Sequence, residues 1–216
     1  MADSRPRASA EPEQVSRGQT PTGGDRPAVR PLPPRERVYA AAVELFVEQG
    51  FESTTMDEIA ERARVARATV FYHFKPKTAI LDEWSTRRRQ RALAAVRATP
   101  LETHNLRDVL RRYTAELADI NESARAETVA LMSAAIRSTD VLSNPKLALE
   151  VASFIGQAQR AGEVRADFDP AQAGLLVATA YVAILGQWIA VDPPPFDLRR
   201  TLLATLELLF EGLSPR

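Results

Sequence analysis

Apolar positions recur at helical spacing through most of the chain. Val38, Ala42, Leu45 and Phe46 fall on one face and Gly50 stops the run, which predicts a first helix from Arg35. Thr55-Met56-Asp57-Glu58 has the form of a capping box, so Thr55 is expected to cap a second helix carrying Ile59, Ala60 and Ala63. After a break at Arg64-Val65-Ala66, a third helix over about 67–74 places Val70 and Phe74 on one face. Lys75-Pro76-Lys77 opens a long fourth helix to about Val96, with Pro76 in its first turn, and Pro100 closes that block. Further helices are expected near 104–122, 124–139, 145–161, 170–190 and 196–211, punctuated by Asn144-Pro145, Gly162, Asp169-Pro170 and Pro193-Pro194-Pro195. No run of alternating β-branched residues is long enough for a strand, and no internal repeat is found. The expected fold class is all-α.

Residues 1–32 differ. Large apolar residues there are limited to Met1, Val15, Val29 and Leu32, so the segment reads as a disordered tail without a secretory h-region. A tail with no specific task and a minor-groove arm using Arg26, Arg30 or Arg35 are both open readings.

The 216 residues carry 28 basic and 28 acidic side chains, a net charge of zero, so any nucleic-acid signature must be local. It is: residues 62–81 hold Arg62, Arg64, Arg67, Lys75 and Lys77 and no acid, whereas residues 35–61 hold 2 basic and 7 acidic residues. The absence of cysteine removes disulfides, thiolate nucleophiles and zinc–thiolate sites, and the two histidines, His73 and His104, make no metal site. With no Gly-rich phosphate loop either, an enzyme is not expected, and no metal or cofactor is assigned.

A capped short helix, a tight turn and a second short helix form a helix-turn-helix over about 55–74, whose second helix enters a major groove. The candidate DNA-binding residues are Thr55, Arg64, Ala66, Arg67, Ala68, Thr69, Phe71, Tyr72, His73 and Lys77. Small residues at the helix start let it approach base edges. Arg67 is suited to guanine, and Thr69, Tyr72, His73 and Lys77 are suited to phosphates. The Arg87-Arg88-Arg89-Gln90-Arg91 run reads as a solvated helix face.

Val38-Tyr39-Ala40-Ala41-Ala42-Val43-Glu44-Leu45-Phe46, Gly50-Phe51, Thr54-Thr55-Met56, Ile59-Ala60 and Thr69-Val70-Phe71-Tyr72-His73-Phe74-Lys75-Pro76-Lys77 together resemble the DNA-binding domain of the tetracycline-repressor (TetR/AcrR) regulators. The likeness covers about 35–85. Three positions depart from the family pattern: Arg64 where the turn commonly has Gly, Ala66 where the recognition helix often begins with Ser, and Phe71 where an aromatic hydroxyl often meets phosphate. The first implies a turn made without glycine's freedom, the second a missing cap oxygen.

The resemblance implies a tail (1–32), a three-helix DNA-binding domain (33–92) and a helical ligand-binding and dimerisation domain (93–216). It also implies a cytoplasmic, homodimeric, ligand-responsive repressor on a pseudo-palindromic operator in double-stranded DNA. A ligand-independent adaptor, or an activator, is the rival reading, and a filled core in place of a pocket would favour the adaptor. Tyr113, Met132, Phe154, Tyr181 and Trp188 are candidates to line a pocket for a mainly apolar effector. Ala178, Tyr181, Val182, Leu185, Leu202, Leu206 and Leu209 are candidates for the dimer interface. The uncharged run from Pro170 to Val191 has the length of a membrane span, but its Ala, Gly, Thr and Gln content and the family likeness favour a buried helix.

Overall fold

Helix ends are set by local chemistry that can be followed residue by residue. In a computed structural model of the chain, residues 32–98, 105–137 and 146–211 are described, and they form nine helices and no strand. These are α1 (Pro34–Gln49), α2 (Met56–Ala63), α3 (Arg67–His73), α4 (Thr78–Ala98), α5 (Leu106–Ser123), α6 (Arg125–Arg137), α7 (Lys146–Arg160), α8 (Pro170–Ile189) and α9 (Leu198–Glu211). The expectations for the tail, Pro100, His104 and Asn144-Pro145 lie outside the described residues.

α1 begins with Pro34, whose missing N–H costs nothing in a first turn. It ends at Gly50, which has φ +88° and donates its N–H to Phe46 O at 3.1 Å. The capping box of α2 is closed in both directions. Glu58 N–H donates to Thr55 Oγ1 at 3.2 Å, and Thr55 N–H donates to Glu58 Oε2 at 2.7 Å. α4 starts at Thr78, so Pro76 precedes the helix instead of sitting in its first turn. Asn105 caps α5 through Asp108 N–H at 2.9 Å, and Asp169 caps α8 through Ala171 N–H at 2.8 Å. The first N–H groups of α9 are taken by a distant residue: Leu198 and Arg199 both donate to Glu122 Oε1 of α5.

Packing follows the apolar stripes. Val38, Leu45 and Phe46 of α1, Ile59 of α2, Val70 of α3 and Ile80 and Trp84 of α4 share one core, which continues into Leu131 of α6, Leu185 of α8 and Leu202 of α9. A second cluster joins Leu110, Val151, Ile155 and Leu206. α8 is long and apolar enough to cross a membrane, with a mean hydropathy of 1.4. Its Ala178, Leu185 and Trp188 are nevertheless buried against the chain's own helices. Gly174 brings it against α7 so closely that a Cβ there would lie 2.4 Å from Ala148 O.

Candidate nucleic-acid interface and internal cavity

The turn between α2 and α3 closes as a Schellman motif. Val65 N–H reaches Ala60 O at 3.0 Å and Arg64 N–H reaches Glu61 O at 3.0 Å. That geometry places Arg64 at φ 54°, the left-handed region, where a side chain costs about 1 kcal/mol over glycine. The residue that departs from the family pattern therefore occupies the glycine conformation, and its side chain is exposed. α3 starts without a side-chain cap at Ala66. Val70 and Phe74 fix the helix to the core, leaving Ala66, Arg67, Ala68 and Tyr72 outward, Tyr72 with 85% of its surface exposed. Thr69, Phe71 and His73 are half-buried at the flank. Thr55 is exposed, its hydroxyl engaged by Glu58.

The local positive charge is partly spent. Arg62 is held by Glu48 at 2.7 Å and lies 3.5 Å from Glu44, and Arg67 Nε lies 2.9 Å from Asp57 while its guanidinium sits over Phe71. The Arg67–Asp57 pair is exposed on both sides and contributes little to stability, so an incoming phosphate or base can displace it. Lys77 differs from expectation. Its ammonium donates to Phe51 O at 2.6 Å and Thr54 O at 2.9 Å, tying the α1–α2 turn to the start of α4 instead of facing solvent. In the basic stretch, Arg64 and Lys75 are the exposed cations whose side chains have no acid partner among the described residues.

The arginine run of α4 also departs from expectation. Arg87 bridges Glu36 of α1 and Glu83 of its own helix, and Arg35 clamps Glu83 from α1, so α1 and α4 are joined by a four-charge cluster. Hydrogen bonds from Arg87 and from Arg35 hold the carboxyls of Glu36 and Glu83, respectively, below the usual range. Arg88 and Arg89 are buried, each with 8% exposure. Their position follows from helical phase: Leu81, Trp84, Arg88 and Ala92 lie on one stripe, and four consecutive residues of a helix cannot share one face. Arg88 donates to Asn121 Oδ1 at 3.0 Å, Thr128 Oγ1 at 3.2 Å and Glu127 Oε1 at 3.0 Å, and stacks on Trp84. Arg89 Nε donates to Glu150 at 3.1 Å, and Tyr113 O–H donates to the other oxygen of that carboxylate at 2.6 Å.

These two arginines border a cavity of about 110 Å³ enclosed by α4, α5, α6, α7 and α8. Trp84, Leu117, Met132, Leu147 and Val182 supply its apolar wall. A smaller space of about 30 Å³ lies beyond Leu117, Leu147 and Tyr181, which line both. Of the residues expected to line a pocket, Met132 and Tyr181 border the larger cavity, while Tyr113 and Tyr181 border the smaller. Phe154 and Trp188 line neither. Phe154 packs edge-on against Tyr113, and Trp188 is buried beneath Arg125.

Residues 38–84, covering α1 to the start of α4, match the family of bacterial regulatory proteins, tetR family. Residues 38–84 thus form a tetR-type domain. The HTH-type transcriptional regulator UidR of Escherichia coli K12 is 28% identical over 165 residues, which span 74% of this chain and 84% of UidR. Among solved structures, Thermus thermophilus FadR, a TetR-family repressor in complex with lauroyl-CoA, is 28% identical with a TM-score of 0.70, covering 84% of this chain and 96% of that one. Salmonella enterica GusR is 26% identical with a TM-score of 0.60, covering 86% and 100%. A chain with this domain is a DNA-binding transcriptional regulator.

The resemblance implies an interface on the last two helices, and burial within the single chain divides its candidate residues. Ala178, Leu185, Leu202 and Leu206 are buried within the chain's own helices. Tyr181 is engaged by Asn121 Nδ2 at 2.8 Å and Val182 borders the cavity. Leu209 is exposed, and the other large apolar residues exposed on these helices are Leu175, Leu176 and Leu208.

Proposed function

We propose that the chain is a dimeric repressor that leaves a pseudo-palindromic operator when a small molecule enters the cavity between α4 and α8. The reading rests most on α4. One helix supplies Leu81, Trp84, Ser85, Arg88 and Arg89 to the cavity and, a turn away, holds α1 through Glu83 and Arg87. A change in cavity occupancy is thus felt by the element that carries the reading head. The required coupling is modest, about 1–3 kcal/mol between the two sites. The unfilled space supports a ligand-responsive protein over an adaptor, and Thermus FadR, with the same architecture, holds lauroyl-CoA. The division of labour would be residues 33–92 for DNA and 93–216 for ligand and dimer.

Ala66, Arg67, Ala68 and Tyr72 would meet base edges and backbone in the major groove, with Arg64, Thr55, Thr69, Phe71 and His73 at the flanks. Lys77 acts indirectly, by fixing the α1–α2 turn. Leu175, Leu176, Leu208 and Leu209 would form the self-complementary apolar face of an isologous dimer. The setting is the cytoplasm, where the DNA is. A mobility-shift titration on the DNA flanking the chain's own gene tests this reading. Specific binding that weakens steeply with salt and is reversed by a cavity-binding compound is expected. Equal affinity for random DNA would refute it.

A further inference from the structure

The polar side of the cavity is more specific than an apolar effector requires. Arg89 is more than nine-tenths buried and lines the cavity, yet only its Nε and Nη2 are used, on Glu150 and Thr86; Nη1 has no hydrogen-bond partner among the described residues. Tyr181 lines the same space. Its oxygen accepts from Asn121 Nδ2, and its own O–H proton has no acceptor among the described residues. Burial pushes the Tyr181 phenol up to about 12, so it remains a donor at neutral pH. Among lining residues Arg88, Arg89 and Lys146 face a single carboxylate, Asp82, and that one lies 3.4 Å from Lys146. Glu127 and Glu150 stand behind the arginines, their oxygens already receiving hydrogen bonds from Arg88, Trp84, Arg89 and Tyr113. The wall's charge is thus predominantly cationic, and Arg89 Nη1 and the Tyr181 hydroxyl are donors left for a ligand acceptor; a cationic donor binds a charged acceptor most strongly. The remaining wall is apolar, and about 110 Å³ is smaller than the roughly 150 Å³ cavity that admits benzene.

We infer that the cavity takes a small carboxylate-bearing amphiphile, its carboxylate on Arg89 Nη1 and the Tyr181 hydroxyl, its short apolar body along Leu117, Met132, Leu147 and Val182. This deepens the proposed function and rests on its assignment of the cavity as the effector site. The carboxylate is the selective element, so a thioester with a bulky polyanionic head is a different class of ligand.

Calorimetry on the full chain without DNA tests it, using butanoate, butanamide, 1-butanol and lauroyl-CoA. Butanoate should bind about ten-fold or more tighter than 1-butanol and butanamide, the margin expected when a charged acceptor meets a buried cationic donor. In the double variant Arg89→Met with Glu150→Gln, which removes the cation without stranding its carboxylate, that margin should vanish while 1-butanol affinity is kept. The wild-type comparison decides even where the variant does not fold. Equal affinity for butanoate and 1-butanol, no binding of butanoate, or binding of lauroyl-CoA alone would each overturn the inference. Adding operator DNA separates the two ideas: butanoate that binds yet leaves the DNA complex intact refutes the effector reading and leaves the ligand class standing.

Discussion

Gly174 offers the sharpest test of the packing. A Cβ at this position would meet Ala148 O at 2.4 Å, Ala152 N at 2.9 Å and Ala152 Cβ at 3.0 Å. Ordinary contacts begin near 3.4 Å, so α7 and α8 must separate by about 1 Å, and the obstructing atoms are backbone that cannot rotate away. Overpacking of this kind costs about 1–3 kcal/mol, here toward the upper end. Against it, alanine in a helix interior gains about 1 kcal/mol over glycine. The net expectation for Gly174→Ala is a loss of about 2 kcal/mol, or about 4–8 °C in Tm for a chain of this size. Gly156 in α7 is the internal control. Its Cβ would find only Arg160 Nη1 at 3.5 Å and Pro170 Cγ at 3.9 Å, so Gly156→Ala should raise Tm by about 2–4 °C through helix propensity alone. Thermal unfolding by circular dichroism at one protein concentration reads both. A Gly174→Ala protein as stable as the wild type, or a Gly156→Ala protein destabilised to the same degree, would refute the close-approach argument.

Three further outcomes are expected. Arg64→Gly should stabilise the chain by about 1 kcal/mol by relieving the left-handed residue, seen in urea unfolding. It should also weaken operator binding, and if Arg64 neutralises one phosphate the slope of log affinity against log salt falls by about 0.9. Glu36 and Glu83 have folded-state carboxyls held below the ordinary 4.5, so the unfolded chain takes up protons first. Their stabilisation is complete above about pH 4.5 and lost as pH falls through the folded values, and Glu83→Gln should flatten that part of a stability–pH curve. Leu208→Glu should convert a dimer to monomer in sedimentation while leaving the helical spectrum unchanged; a persistent dimer would move the interface elsewhere.

The helices and their caps were legible because their causes are local. Thr55 and Glu58 are three residues apart, and Gly50 stops α1 where the apolar stripe ends. Arg64 was legible as a strained turn through the resemblance, which marks its position as one commonly held by Gly. The charges were not legible, because pairing is tertiary. Arg62 meets acids of α1, Lys77 meets carbonyls more than 20 residues away, and Arg88 reaches α5 and α6. The spacing of Arg88 from Leu81, Trp84 and Ala92 carried the missing signal, since a cation on an apolar stripe must be buried with partners. On the last two helices the sequence left the outward face open. Leu175, Leu176 and Val177 are consecutive, and periodicity does not say which apolar face meets the subunit's own core.

The chain's two tryptophans are placed as an optical pair. Trp84 is 1% exposed, lines the cavity beneath Arg88, and gives its indole N–H to Glu127 at 2.6 Å. Trp188 is 3% exposed, stacks with Arg125 and lies outside the cavity wall. Both indoles are almost fully buried, so both are expected to emit as shielded indoles, but only Trp84 would have a guest's atoms for neighbours if the cavity fills as proposed. Under the proposed function, Trp84 would report occupancy of the cavity and Trp188 would serve as its reference, so filling could be followed in real time without any attached label.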